Sequence, residues 1–313
     1  MTATPDPATA APTRDWAAIA AIGVTLVLWA SAFVAIRHLG DDFGAGSLSL
    51  GRCLVAAVLL GGLALSRGLT PVQRRDGWRF VVIGVLWYAV YNLALNEGER
   101  HVDAGTAALL LQFSPLILAV LAAVVLGESF SRELAIGLVV ALVGVSAIAF
   151  SGDSTGAGTR PVLGAALCLV SALVYSVSVV VQKPLMTRVP AIQVTWLACT
   201  IGAIACLPWA GELVHDVRAA PASSVAWVVY LGAFPTAIGF TTYAFALNRM
   251  SASQLGVTTY LVPVVTIGLA WVLLSEAPAP LAYAGGALTL LGVALARRRP
   301  RARPAGPVPA EAA

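Results

Sequence analysis

Gln112-Phe113-Ser114-Pro115, running on to Leu126-Gly127-Glu128 and then Gly144, has a second copy in this chain. That copy is Tyr260-Leu261-Val262-Pro263, then Leu274-Ser275-Glu276, then Gly292. One shift of 148 residues (Pro115 to Pro263) also carries Gly84 onto Gly232, Ala104 onto Ala252, Ala122 onto Ala270 and Gly137 onto Gly285, without a gap. Apolar coincidences are common in a chain rich in Ala, Leu and Gly. A shift that aligns a proline, a scarce glutamate and three spaced glycines carries more weight than composition alone explains. It reads as a duplicated half, a frequent plan among transporters.

The composition sets the class. Of 313 residues, 59% are hydrophobic and 11% charged, with a mean hydropathy of +0.87. A soluble domain carries roughly 25% charged residues, so the chain reads as an all-α integral membrane protein in contact with lipid. The net charge of +4 comes from 18 Arg and the single Lys183, most of them in short connectors. That placement is what membrane topology demands, and it gives no reason to invoke nucleic acid. Cys53, Cys168, Cys199 and Cys206 all lie in apolar runs, and His38, His101 and His215 are far apart. They read as small buried residues and segment ends, with no metal site and no cofactor.

Residues 1–15 and 298–313 read as disordered cytoplasmic tails, the second one basic. A helix needs roughly 20 apolar residues to cross a bilayer. That rule predicts ten spans: 16–36, 45–66, 78–98, 103–126, 132–150, 161–182, 191–210, 223–247, 252–275 and 279–297. The first is too long for a signal-peptide core, although Ala30-Ser31-Ala32 resembles a cleavage site. With the N-terminus inside, fourteen basic residues fall on the cytoplasmic side: Arg14, Arg67, Arg74, Arg75, Arg79, Arg132, Lys183, Arg188, Arg249, Arg297, Arg298, Arg299, Arg301 and Arg303. Only Arg37, Arg100, Arg160 and Arg218 fall outside. Both termini are therefore expected in the cytoplasm. Five spans per half is odd, so the halves, 16–150 and 161–297 joined by the loop 151–160, should be inverted relative to each other. Such a plan places a substrate site between the halves near the membrane midplane. At a shift of 146 residues (Arg37 to Lys183), Trp29 also meets Tyr175 and Ala32 meets Ser178.

Polar groups inside spans must face protein or water. Tyr88, Asn92, Asn96 and Glu99 recur at helical spacing, as do Ser171, Tyr175, Ser178 and Gln182. Thr236, Gly239 and Tyr243 share a face behind Pro235, and Gln112 and Tyr260 precede the two central prolines. Thr25 and Trp29 add to the set. The expected substrate cavity is thus Trp29, Tyr88, Asn92, Asn96, Gln112, Tyr175, Ser178, Thr236, Tyr243 and Tyr260. Each of these groups has an alternative role as a helix-to-helix tie. Arg52 lies seven residues into its span, roughly 10 Å at ~1.5 Å per residue, and is a candidate ion-pair partner of Glu97 or Glu99. The alternative for those glutamates is coupling to a proton. Glu128 and Glu276 close their spans and are expected to act structurally, as caps of the following helices. Pro115 and Pro263 each free a mid-helix carbonyl and are candidate hinges.

The run Tyr91–Leu110 with Ser114-Pro115 and Leu126-Gly127-Glu128 resembles the EamA-type family of the drug/metabolite transporter superfamily. So does Tyr243–Asn248 with Ser251-Ala252, Pro263, Glu276 and Gly292. The resemblance covers about residues 16–297. It implies ten transmembrane helices as two inverted five-helix repeats in the plasma membrane. It implies a cavity lined chiefly by spans 1, 3, 4, 6, 8 and 9, and export of amino acids, related metabolites or toxic compounds. It names no ligand. The halves differ chemically, since the third span ends Glu97-Gly98-Glu99 where the eighth has Phe245-Ala246-Leu247.

The expected function is therefore secondary transport of a small polar or amphipathic metabolite, with drug efflux as the alternative. The chain has no GxxxxGK[ST] stretch, so ATP is not the direct energy source. Gly152-Asp153-Ser154-Thr155-Gly156 matches GxSxG but sits between two spans, without the strand and helix a nucleophile elbow needs. A polytopic enzyme and a channel are the distant alternatives. Proton coupling, facilitated diffusion, and a monomer or homodimer all stay open.

Overall fold

In the computed structural model of the chain, residues 15–126, 132–151, 160–247, 249 and 260–296 are described. They form helices joined by short turns, with no strand among them. The helices are α1 Trp16–Leu39, α2 Ala45–Ser66 and α3, which runs Gly77–Ile83, Gly84–Val90 and Tyr91–Gly98. Next come α4 Ala104–Leu111, α5 Ser114–Leu126, α6 Arg132–Ala149, α7 Pro161–Gln182, α8 Ala191–Ala205 and α9 Ala210–Ala219. The last three are α10 (Ala222–Leu231, Gly232–Ile238 and Gly239–Leu247), α11 Leu261–Leu274 and α12 Pro280–Ala296.

Local chemistry sets the boundaries. The Asp15 carboxylate accepts from the Ala18 N–H at 3.1 Å and starts α1. Asp103 does the same for α4, accepting from the Thr106 N–H at 2.8 Å and its hydroxyl at 2.6 Å. Pro161 opens α7, where its missing N–H has no helical partner to lose. Ser275 ends α11 in the left-handed region (φ 55°), turning the chain so that the Glu276 N–H reaches back to the Ala270 carbonyl at 3.3 Å.

Among the described residues, five helices are long and apolar enough to cross a membrane, or six if the pair Ala191–Ala205 and Leu207–Ala219, bent by 55°, is one span. The other apolar helices are shorter, at 10–17 residues. Two expectations change here. The fourth span is interrupted at Gln112-Phe113, between α4 and α5, by the proline two residues on. The expected connector 211–222 is largely the helix α9, which carries Glu212, His215, Asp216 and Arg218 and has no buried residue. Elsewhere the long helices expose apolar side chains such as Val58, Trp271 and Val272, as lipid-facing surfaces do. Glu128, the GxSxG stretch, the 252–259 part of the ninth span and both tails, apart from Asp15, which caps α1 instead of lying in a disordered tail, are outside the described residues.

The packing is reciprocal between repeat-equivalent residues. α6 lies against α12. A Cβ on Gly144 would fall 2.5 Å from the Gly285 carbonyl oxygen, and one on Gly285 would fall 2.5 Å from that of Gly144. A Cβ on Gly292 would meet the Gly137 carbonyl oxygen at 2.5 Å. Only glycine lets these backbones approach so closely. α2 packs on α8, the middle of α3 on α8, and the middle of α10 on α2. Those middle segments, Gly84–Val90 and Gly232–Ile238, are both π-helical and seven residues long. They begin at residues that the 148-residue shift aligns (Gly84 to Gly232). At each, the leading glycine admits the facing helix: a Cβ on Gly84 would meet Ile201, and one on Gly232 would meet Val55.

Candidate functional site

The two π-helical stretches, the second holding Pro235, and the break before Pro115 converge on one cavity. Its volume is about 170 Å³. One water needs ~10–15 Å³ by the same kind of measure, so the space suits a small molecule. It lies partway along α1, α2, α3, α4, α5, α7, α10 and α11, and both repeats contribute to its wall.

Proline chemistry shapes the wall. Pro115 has no N–H for the Leu111 carbonyl, and the Ser114 hydroxyl donates to that oxygen instead. Pro235 likewise releases the Leu231 carbonyl, and the Thr236 hydroxyl donates to it at 2.9 Å. In both places a hydroxyl beside the proline satisfies the freed acceptor. Ser176 of α7 donates to the Ser114 carbonyl at 3.0 Å, holding the break in place.

Aromatic rings form most of the apolar lining. Trp87 meets Tyr175 edge-on with centroids 5.1 Å apart, and Phe240 at 5.4 Å. Trp29 meets Phe240 at 5.5 Å. It comes this close to α10 because residue 239 is glycine, where a Cβ would lie 3.0 Å from the indole nitrogen. Thr25 ties α1 to α10 below it, through the Thr242 hydroxyl at 2.8 Å.

Arg52 and Asn92 are two of the polar groups in this wall. The Arg52 guanidinium donates through Nη2 to Thr236 Oγ1 at 3.2 Å, joining the two repeats. The Asn92 amide donates through Nδ2 to the Tyr88 carbonyl at 2.8 Å and the Trp87 carbonyl at 3.5 Å. Because carbonyls only accept, these contacts fix which way the amide faces. Asn92 Oδ1 is buried and has no hydrogen-bond partner among the described residues.

Of the ten expected cavity residues, the structure brings Trp29, Tyr88, Asn92, Gln112, Tyr175 and Thr236 to this lining, with Arg52 and Pro115. Four lie elsewhere. Asn96 donates to Ser49 Oγ at 2.9 Å and so ties α3 to α2. Ser178 bonds back to the Val174 carbonyl at 2.7 Å. Tyr243 stacks behind Trp29 at 5.1 Å, and Tyr260 packs against the main apolar core. Trp87, Tyr91, Pro235 and Phe240 line the cavity without having been singled out for it. The signal for the first two was a Trp87-Tyr88-x-x-Tyr91 face on a span already marked by Asn92. Phe240, one residue beyond Gly239, carries no sequence signal that separates it from core.

The charges are arranged differently from expectation. Arg52 forms no ion pair with Glu97 or Glu99 among the described residues. Glu97 instead faces Arg100 at 3.9 Å and His101 at 3.4 Å, at the exposed end of α3. Glu99 is 1% exposed, and among the described residues neither carboxylate oxygen has a hydrogen-bond partner. Arg37 and Arg52 both act on its carboxylate electrostatically without a hydrogen bond to it. Glu276 reaches across to Arg37, whose Nε lies 3.1 and 3.3 Å from its two oxygens. Arg37 also donates to the Glu99 carbonyl at 3.0 Å. One arginine thus clasps α1, the end of α3 and the end of α11. At the opposite end, Arg188 pairs with Asp76 at 3.0 Å, again joining the two repeats.

Comparison with known proteins places this geometry. The chain is 39% identical over 282 residues to the probable terminal-alkyne amino-acid exporter of Streptantibioticus cattleyicolor, over 90% of this chain and 94% of that protein. It is 30% identical over 271 residues to the uncharacterized transporter YdfC of Bacillus subtilis, over 85% and 86%. A solved crystal structure shares the fold with a TM-score of 0.58 at 21% identity, covering 90% of this chain and 96% of that one. The EamA-like transporter family matches residues 15–150 and again 162–298. The chain belongs to that family, and is a multi-pass membrane protein.

Proposed function

We propose that this EamA-like transporter is a secondary carrier that exports an amino acid or a related amphipathic metabolite across the plasma membrane by alternating access. The observation that carries the reading is the cavity. It lies partway along the helices, is walled by both repeats, and is bounded by helices broken at proline and π-helical turns. Inverted repeats build substrate sites in this way. The 39% identity to an amino-acid exporter supports the substrate class.

In this reading ten spans form two inverted halves, 16–150 and 161–297, with both termini cytoplasmic. α4 with α5 is then a single broken span, and α8 with α9 a span followed by an outer surface helix. The Arg37–Glu276 pair closes the outer end. Pro115, Pro235 and Pro263 are the points at which the helices bend between states. Glu99, buried beside Arg37 and Arg52, is the coupling site if a proton drives transport. An unpaired buried carboxylate is costly, and protonation relieves that cost.

The test is uptake of a panel of apolar and polar amino acids into proteoliposomes, with and without an imposed pH gradient. Saturable uptake of at least one member is expected. Gradient dependence that disappears in Glu99→Gln assigns the coupling role. If no amino acid moves in folded protein but aromatic cations do, drug efflux replaces metabolite export.

A further inference from the structure

Among the described residues, the cavity wall holds a cation with no anion against it and an acceptor with no donor. The Arg52 guanidinium has five N–H groups. Among the described residues only one of its hydrogen bonds reaches protein, to Thr236. The Thr236 proton is already given to the Leu231 carbonyl, so Thr236 holds Arg52 in place without neutralising it. A charge removed from water needs a counter-charge, and no carboxylate lies within ion-pair distance of Arg52 among the described residues. Asn92 Oδ1 faces the complementary lack: it is buried, its amide is locked by two carbonyls, and nothing donates to it. Both groups line the same cavity. The rest of the wall carries no charge: aromatic rings, chiefly Trp29, Trp87, Tyr175 and Phe240, share it with aliphatic side chains and the neutral polar groups of Gln112, Ser114 and Thr236.

From this we infer that Arg52 receives the carboxylate and Asn92 Oδ1 the ammonium of an α-amino acid whose apolar side chain lies among the aromatic rings. The assignment rests on the carrier reading of the cavity and narrows it. It requires both charged groups on the ligand, and an uncharged, apolar side chain. A charged side chain would find no counter-charge, since Arg52 is the one charged residue among the described lining.

The experiment pairs deletions on the ligand with deletions on the protein. Binding to the purified full-length chain is measured for L-leucine and L-phenylalanine. It is also measured for their amine-free acids, 4-methylpentanoate and 3-phenylpropanoate, and their carboxylate-free amines, 3-methylbutylamine and 2-phenylethylamine. Wild-type protein is expected to bind at least one of the two amino acids about tenfold or more tighter than either of its analogues. That factor corresponds to one charge-assisted hydrogen bond. Arg52→Gln should erase the preference over the amine, weakening the amino acid about tenfold or more and the amine by less than about twofold. Asn92→Ala should instead erase the preference over the acid. Arg52→Lys keeps the charge and should keep part of the carboxylate preference, which guards against a misfolded Gln variant. The inference is overturned if folded wild-type protein binds neither amino acid. It is also overturned if Arg52→Gln weakens amino acid, acid and amine alike. Exchange assays on the same protein separate this failure from failure of the carrier reading. Exchange of some solute with no carboxylate or ammonium preference removes only this assignment, whereas no exchange of any solute removes the carrier.

Discussion

Arg37 and Glu276 are 239 residues apart in sequence and 3.1 Å apart in space. Their side chains are 13% and 15% exposed, between a surface pair, worth below about 1 kcal/mol, and a buried one, whose breakage costs about 3–5 kcal/mol. The two residues are predicted to be coupled by about 1–2 kcal/mol. A double-mutant cycle of Arg37→Gln and Glu276→Gln, read by thermal unfolding in detergent, checks this. The double variant should lose less stability than the two single losses combined, and strict additivity would remove the pair. The sequence marked Glu276 as a repeated, structural acid but pointed it at the following helix. Its partner sits on the far side of the fold, and no local pattern specifies a contact of that range. Arg52 shows the same limit. Its depth in α2 was readable, and two glutamates were the obvious partners on charge alone. The structure gives it Thr236, whose hydroxyl is held by a carbonyl that Pro235 has released.

At the scale of the element, the repeat was the most legible feature, because Gly, Pro and Glu keep their spacing wherever a backbone needs them. The glycines now have a reason in contact geometry. Gly144 faces the Gly285 backbone, so a side chain there has no flexible neighbour to displace. Gly144→Leu is predicted to destabilise the protein by about 1–3 kcal/mol or more, seen as a lower unfolding temperature and reduced recovery of folded protein. Leucine at exposed Val58 should be nearly neutral. If Gly144→Leu is as stable as wild type, the α6–α12 contact is not as close as described. The π-helical stretches were not legible. Gly84 and Gly232 head them, but a π turn is one extra residue in a hydrogen-bond ladder, and apolar periodicity over seven residues does not resolve it. Their matching positions in the two repeats, each beside the cavity, fit the tendency of such turns to mark functional sites.

Across the whole molecule, hydropathy gave the class and the long helices. It gave the shorter ones less well, since a proline break divides one expected span and a bend of 55° ends another. The cavity was partly readable because amides and hydroxyls are conspicuous in apolar helices. Its aromatic wall was not, because Trp87 and Phe240 have the same composition signal as core. Ion pairs between repeats at both ends, Arg37–Glu276 and Asp76–Arg188, show that neither end is held by apolar contact alone. A carrier must break such ties in turn, whereas a channel must hold a path open through both. Counterflow tests this distinction most directly. Proteoliposomes loaded with unlabelled L-leucine or L-phenylalanine are diluted into a trace of the labelled compound. The account predicts that label transiently accumulates above its equilibrium level, because one site is carried back and forth. Label that rises only to equilibrium, or does not enter at all with either amino acid, would contradict it.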